Sequence, residues 1–309
     1  MADLTRRAAF SALAAPFLLA LPLLPARAAD APQSQPGAGG TPARPDAAAA
    51  VAKFTAIEQA HGGRLGVVAV EAGTGRRIAY RGDERFPLCN TFEILAAGAV
   101  LARVDAGEEH LERRVIFHED DVVEGSPATQ GHVRPPGLTL AEICAAATEY
   151  SDNTAANLML RSLGGPEGLT AFLRSLGDTE SRVDRYEPEL NDVKPGDPRD
   201  TTTPAAMAAD LEKLLLGPVL SPTSRAQLAA WMIACKTGLE RLRAGLPADW
   251  KAGDRTGADG LLVTDDVAIL WPPERPPILV AAYYAGGAGA PRQQDAVLAE
   301  VGRIVAAAF

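Results

Sequence analysis

The chain has little that could cross-link it. Among 309 residues there are three cysteines, Cys89, Cys144 and Cys235, so at most one internal bridge can form and no disulfide framework holds the fold. Four histidines, His61, His110, His118 and His132, lie at spacings that suit no metal motif, and the scattered cysteines do not complete one. Positive charge is also in deficit: 30 Lys+Arg stand against 39 Asp+Glu, a formal net charge of −9. That balance argues against phosphate-backbone binding as the main activity, so nucleic acid is not an expected partner. No glycine-rich loop follows a strand with a basic anchor, which removes the nucleotide cradle. No metal and no cofactor are expected. What is plentiful is core material, with 47% hydrophobic and 22% charged residues, the composition of a packed globular protein.

The first residues stand apart from that core. Arg6 and Arg7 precede an apolar stretch from Ala8 to Pro25, and small residues around Ala26 and Ala28 follow, which is the pattern of an export signal over residues 1–29. Pro16, Pro22 and Pro25 interrupt the stretch, which falls short of the roughly 20 uninterrupted apolar residues of a spanning helix. The paired arginines with Phe10 close behind are those of a twin-arginine signal, and an ordinary secretory signal is the alternative. A periplasmic or secreted location is expected either way. Residues 30–46, rich in Pro, Gly, Gln and Ala, read as a flexible linker, and one domain is expected over residues 47–309.

Within that domain, residues 48–61 have helical spacing, and residues 64–82 give two strands around the turn Ala72-Gly73-Thr74-Gly75. The middle is helical. Apolar residues recur at three- and four-residue intervals over residues 90–105, 139–150, 154–163, 166–176, 204–216 and 221–235, with Gly164, Gly177 and Gly217 at C-terminal cap positions. Strand signals return at Val267–Trp271 and Ile278–Tyr284, before a last helix to Phe309. The expected fold is therefore α+β, an α/β sandwich: an antiparallel sheet of about five strands built from both termini and flanked by helices. An all-helical lobe of residues 90–235 is inserted in it, and the cleft between them is the expected site.

Four short stretches carry chemistry: Cys89-Asn90-Thr91-Phe92-Glu93, Ser151-Asp152-Asn153, Arg185 through Asn191 (RYEPELN), and Asp254-Arg255-Thr256-Gly257. Together with RDTTTP, RLRAGLPADW and DVAILWPP they stand in the order and at the spacing of the class A serine β-lactamases, which this chain resembles over nearly its whole mature length. The resemblance implies a β-lactamase/transpeptidase-like fold, a monomer, and a small β-lactam or peptidoglycan-like ligand. It also exposes three departures. Asn90 stands where the family motif has its nucleophilic serine, Glu93 where it has the Ser-x-x-Lys lysine, and Arg255 where it has the Lys-Thr-Gly lysine.

A carboxamide cannot be deprotonated to attack a carbonyl carbon, so no ester-linked intermediate forms at Asn90. Loss of a hydrolase nucleophile costs on the order of 10⁶ in turnover. Glu93, Glu187 and Arg255 sum to −1 where the motif gives +1, which disfavours a ligand carboxylate and should push one carboxyl pKa upward unless Arg255 neutralises it. The expected protein is catalytically impaired or inactive; the alternative is a β-lactam hydrolase with residual catalysis. By the same resemblance Ser151 is a proton-shuttling or substrate-facing hydroxyl, Asn153 contacts a substrate amide, and Glu187 with Asn191 holds a water. Arg255, Thr256 and Gly257 lie on the inner edge strand, Arg241 is either a carboxylate-binding group or a helix-end cation, and Arg185 pairs with Asp200. Gly125 leaves the cleft mouth without an aromatic wall. Asn90 and Glu93 also fit a helix-capping pair at the start of the helix 90–105, and Cys89 and Cys235 fit small core positions.

Overall fold

The computed structural model describes residues 45–287 and 290–309; the expected export signal and nearly all of the expected linker lie outside the described residues. Eight α-helices and a five-stranded sheet follow in the order α1 (Pro45–His61), β1 (Gly62–Glu71), β2 (Arg77–Tyr80), α2 (Phe92–Asp105), α3 (Leu140–Tyr150), α4 (Asn153–Ser162), α5 (Pro166–Ser175), α6 (Pro204–Leu215), α7 (Pro222–Ala234), β3 (Lys251–Ala258), β4 (Val263–Trp271), β5 (Ile278–Gly287) and α8 (Pro291–Ala308). The first helix takes in Pro45 and Asp46, so the expected linker ends two residues earlier than its composition suggested.

The sheet order is β2-β1-β5-β4-β3, with every neighbouring pair antiparallel. Val67 faces Ala282 and Val70 faces Leu279, so the first and last strands are direct neighbours and the sheet is assembled from both ends of the described domain. These strands are apolar almost continuously because both faces are covered. The two-residue alternation then divides them. Val67, Ala69, Val280 and Ala282 pack with Phe54 of α1 and Leu298 of α8, whereas Val68, Leu279, Ala281 and Tyr283 join the core of the helical lobe. At the centre of that lobe α2 is buried from Phe92 through Leu101, as an all-round apolar helix must be.

Local chemistry sets the helix ends. Thr139 caps α3, accepting from the Glu142 N–H at 3.2 Å while Glu142 accepts from the Thr139 N–H at 2.7 Å, and Asp152 and Thr203 cap α4 and α6. Gly164 and Gly177 end their helices at φ +89° and +85°, a conformation that favours glycine. Gly217 follows α6 without a positive φ, its N–H donating to the Glu212 carbonyl at 2.8 Å.

The expected cap at Asn90 is absent. Residues Cys89–Thr91 form a separate 3₁₀ turn, α2 begins at Phe92, and no side chain caps it. All three cysteines are buried and unbridged. No helix among the described residues is long and apolar enough to cross a membrane.

Candidate active site

A cleft of about 610 Å³ opens where β3, at the edge of the sheet, meets the helical lobe. The 3₁₀ turn before α2 brings Asn90 to its wall, the α3–α4 junction brings Ser151 and Asn153, and the loop after Glu187 brings Asn191. Opposite them, β3 presents Thr256 and Gly257. Gly257 is glycine for a steric reason: a Cβ there would lie 3.0 Å from the Cys89 Cβ and 3.2 Å from the Asn90 nitrogen. The strand can therefore press directly against the turn that carries Asn90.

Asn90 is the hub. Its Nδ2 lies 3.3 Å from each of three acceptors, Glu93 Oε1, Asn153 Oδ1 and Glu187 Oε1. An amide nitrogen carries two hydrogens, so these long contacts divide two donors among three acceptors. The fully buried Arg255 lies beneath. Its Nε–H is directed at the Asn90 carbonyl, 3.2 Å away, and the same nitrogen lies 3.0 Å from Glu93 Oε2 as an ion contact without hydrogen-bond geometry. The rest of the guanidinium donates to the Thr148 carbonyl at 3.3 Å and to the Ser151 hydroxyl oxygen. Ser151 itself sits at φ +60° as the residue that ends α3.

The carboxylates respond to burial. Glu93 and Glu187 are both pushed up to about 8, with desolvation as the largest cause; Arg255 lowers each without overcoming it, and Glu187 adds to the rise at Glu93. Where the sequence led to one upward shift, both groups are raised, because each is desolvated. The Cys89 thiol is driven well above its ordinary value by burial, which leaves it without nucleophilic character beside the cleft.

Glu187 is fixed from two sides. Asn191 Nδ2 donates to its Oε2 at 2.7 Å, while its backbone N–H and carbonyl are both held by the Asn157 carboxamide at 2.8 Å. The loop carrying it is closed by Arg185 Nε and Asp200 Oδ2, 2.6 Å apart, the pair expected from the sequence. Asp197 and Arg199 pair at the surface, whereas Glu187 and Asp200 are buried.

Thr256 shares a 2.6 Å hydroxyl contact with Thr237. Arg241 also borders the cleft, yet its guanidinium is engaged by Asp295 at 2.7 Å and by the carbonyls of Gly257 and Asp265 at 2.9 and 2.7 Å. It is neither a free helix-end cation nor an uncommitted anchor. Gly125 lies against Asn153, where a Cβ would come within 2.8 Å of the Asn153 Nδ2. Sequence analysis did not single out Asn157, Thr237 or Thr148. Asn157 was findable, since its four-residue spacing from Asn153 places both on one face of α4. Among the described residues no group of three His, Cys, Asp or Glu side chains is placed to hold a metal ion.

This combination of sheet, inserted lobe and cleft has close counterparts. The model of the β-lactamase enzyme family matches residues 49–309. β-Lactamase AST-1 of Nocardia asteroides is 48% identical over 253 residues, which cover 82% of this chain and 81% of that protein. β-Lactamase L2 of Stenotrophomonas maltophilia is 46% identical over 297 residues, 96% of this chain and 95% of that one. Among solved structures, the class A β-lactamase of the last common ancestor of Gram-negative bacteria is 59% identical, with a TM-score of 0.83 over 84% of this chain and 99% of that one. The chain belongs to the class A β-lactamase family.

Proposed function

We propose that this chain is an exported member of its family that does not form an acyl-enzyme at the usual position and at most binds β-lactam or peptidoglycan-like ligands. The observation that carries the proposal is Asn90, a carboxamide in the serine position of the motif, with its nitrogen committed to Glu93, Asn153 and Glu187. Such a group offers neither a deprotonated oxygen nor a lysine to generate one. The fully buried contact between Glu93 and Arg255 supports the same reading, because both motif lysines are replaced and the substitutes pair with each other. Any cleft ligand meets Ser151, Asn153, Thr256 and Gly257 directly, while Arg241 and Arg255 act mainly on the surrounding framework.

The test is turnover of a chromogenic cephalosporin, with intact mass after incubation with a penicillin, beside the triple variant Asn90→Ser/Glu93→Lys/Arg255→Lys. No turnover and no adduct are expected for the native sequence, and recovery of both for the variant. An adduct on the native chain, mapped to Ser151, Thr91 or Cys89, would overturn the proposal and name another nucleophile.

A second reading, residual hydrolysis of the β-lactam amide with Glu187 as general base, draws on the relatives' printed β-lactamase names and on the Glu187–Asn191 bond, since a positioned carboxylate near water suffices for that role. Slow turnover without an adduct, abolished by Glu187→Gln, would favour it.

A further inference from the structure

The loop that carries Glu187 has a second cavity behind it. Pro188, Asn191 and Asp192 face the cleft, whereas Leu190 and the run from Val193 to Asp200 face a separate space of about 460 Å³ bounded on its other side by Phe86, Leu262 and Ala285. The volume is that of a small-molecule pocket. Its apolar wall comes from Phe86, Leu190, Val193 and Leu262, the last of which is 52% exposed. Its charged lining is one-sided: Arg64, Arg85, Arg185, Lys194 and Arg199 against Asp197 and Asp200. Asp200 is saturated, accepting from the backbone of Asp184 and Arg185 and from the Arg185 guanidinium. The carboxylates that pair with Arg64, Arg85 and Lys194, namely Glu84, Glu180 and Asp192, lie outside the lining. Those pairs are solvent-exposed, and exposed pairs exchange partners at small cost. Arg64 additionally stacks over the buried Phe86 ring at 3.9 Å, which fixes its guanidinium at the rim of the cavity.

We propose that this cavity binds a small amphiphilic anion, an aromatic or short alkyl carboxylate or sulfonate of about bicyclic size, and that its occupancy is transmitted to the cleft through the shared loop. An apolar body fits between Leu190, Val193 and Leu262 while the anionic end meets the arginine-rich rim. Transmission needs no long pathway, because neighbouring residues of one loop line the two spaces: Leu190 one, Asn191 the other. The inference is independent of whether the cleft hydrolyses anything.

The test uses anilinonaphthalene sulfonate on the intact folded chain, with the neutral phenylnaphthylamine as its uncharged counterpart. Expected are saturable one-to-one binding of the sulfonate, about tenfold weaker binding of the neutral probe, and about tenfold loss of sulfonate affinity in Lys194→Glu and in Leu262→Asp. Both substitutions are at exposed positions, and circular dichroism confirms that each variant is folded. Amide resonances of Asn191 and Asp192 should shift on saturation, while those of Glu124 and Gly125, which border the cleft from the helical lobe, should shift less. Equal affinity of the two probes, indifference to both substitutions, absence of saturable binding, or shifts centred on Glu124 and Gly125 would each overturn the proposal.

Discussion

Replacing Glu187 by glutamine should stabilise the protein in alkaline solution and do little in acid. In the folded state Glu187 is 1% exposed and titrates at about 8, against an ordinary value of 4.5 for the unfolded chain. Between those values the native state keeps a proton that the unfolded chain has released, so stability falls as pH rises through the window and the loss is complete above about 8. At about 1.4 kcal/mol for each pH unit of that span, the loss is on the order of 5 kcal/mol. Glutamine has nothing to ionise and nearly the same shape, and its carbonyl oxygen can still accept from Asn191. It also removes one of the charges that raise Glu93, although burial, the larger cause, remains. Urea unfolding of both proteins at pH 5 and pH 8.5 measures the effect. The two should agree to within about 1 kcal/mol in acid, with Glu187→Gln several kcal/mol more stable in alkali. Equal destabilisation of the variant at both pH values would refute the assignment of a protonated, desolvated carboxyl.

Two further outcomes follow from burial and pairing. Arg185→Ala leaves the Asp200 carboxylate, 2% exposed, without its cation, and should cost about 3 kcal/mol in unfolding experiments while speeding proteolysis within residues 186–199; unchanged values would show that the ion pair does not hold the loop. Cys89, Cys144 and Cys235 should be inert to a thiol reagent in the native state and give three equivalents after unfolding, a count that drops if any two are bridged.

Much of the fold was legible because it depends on patterns only a few residues long. The helices of the lobe appeared within one or two residues of their observed ends, fixed by apolar spacing and by caps such as Thr139 and Gly164. The strands at Val67 and Ile278 were visible as apolar β-branched runs, and their pairing followed from placing helices between them. The motif residues were legible too, since Ser151, Asn153, Glu187, Asn191 and Thr256 are read by type and order, and they do converge on one cleft.

The sequence by itself determined the two-lobed architecture and the residue types Asn90, Glu93 and Arg255. Tertiary structure alone decided what those side chains touch. Locally, Asn90 and Glu93 fit a capping box worth about 1 kcal/mol, but that bond is available only if no stronger partner is present. Strand β3, arriving 165 residues after Asn90 in the chain, brings the buried Arg255 Nε to 3.0 Å from Glu93 Oε2 and 3.2 Å from the Asn90 carbonyl, long-range contacts that local sequence does not contain. The same burial pushes Glu93 and Glu187 upward together, and the fold brings Asp295 to within 2.7 Å of the Arg241 guanidinium. Residue type fixes which charges are present, whereas desolvation and long-range contacts fix which of them remain charged and what they face.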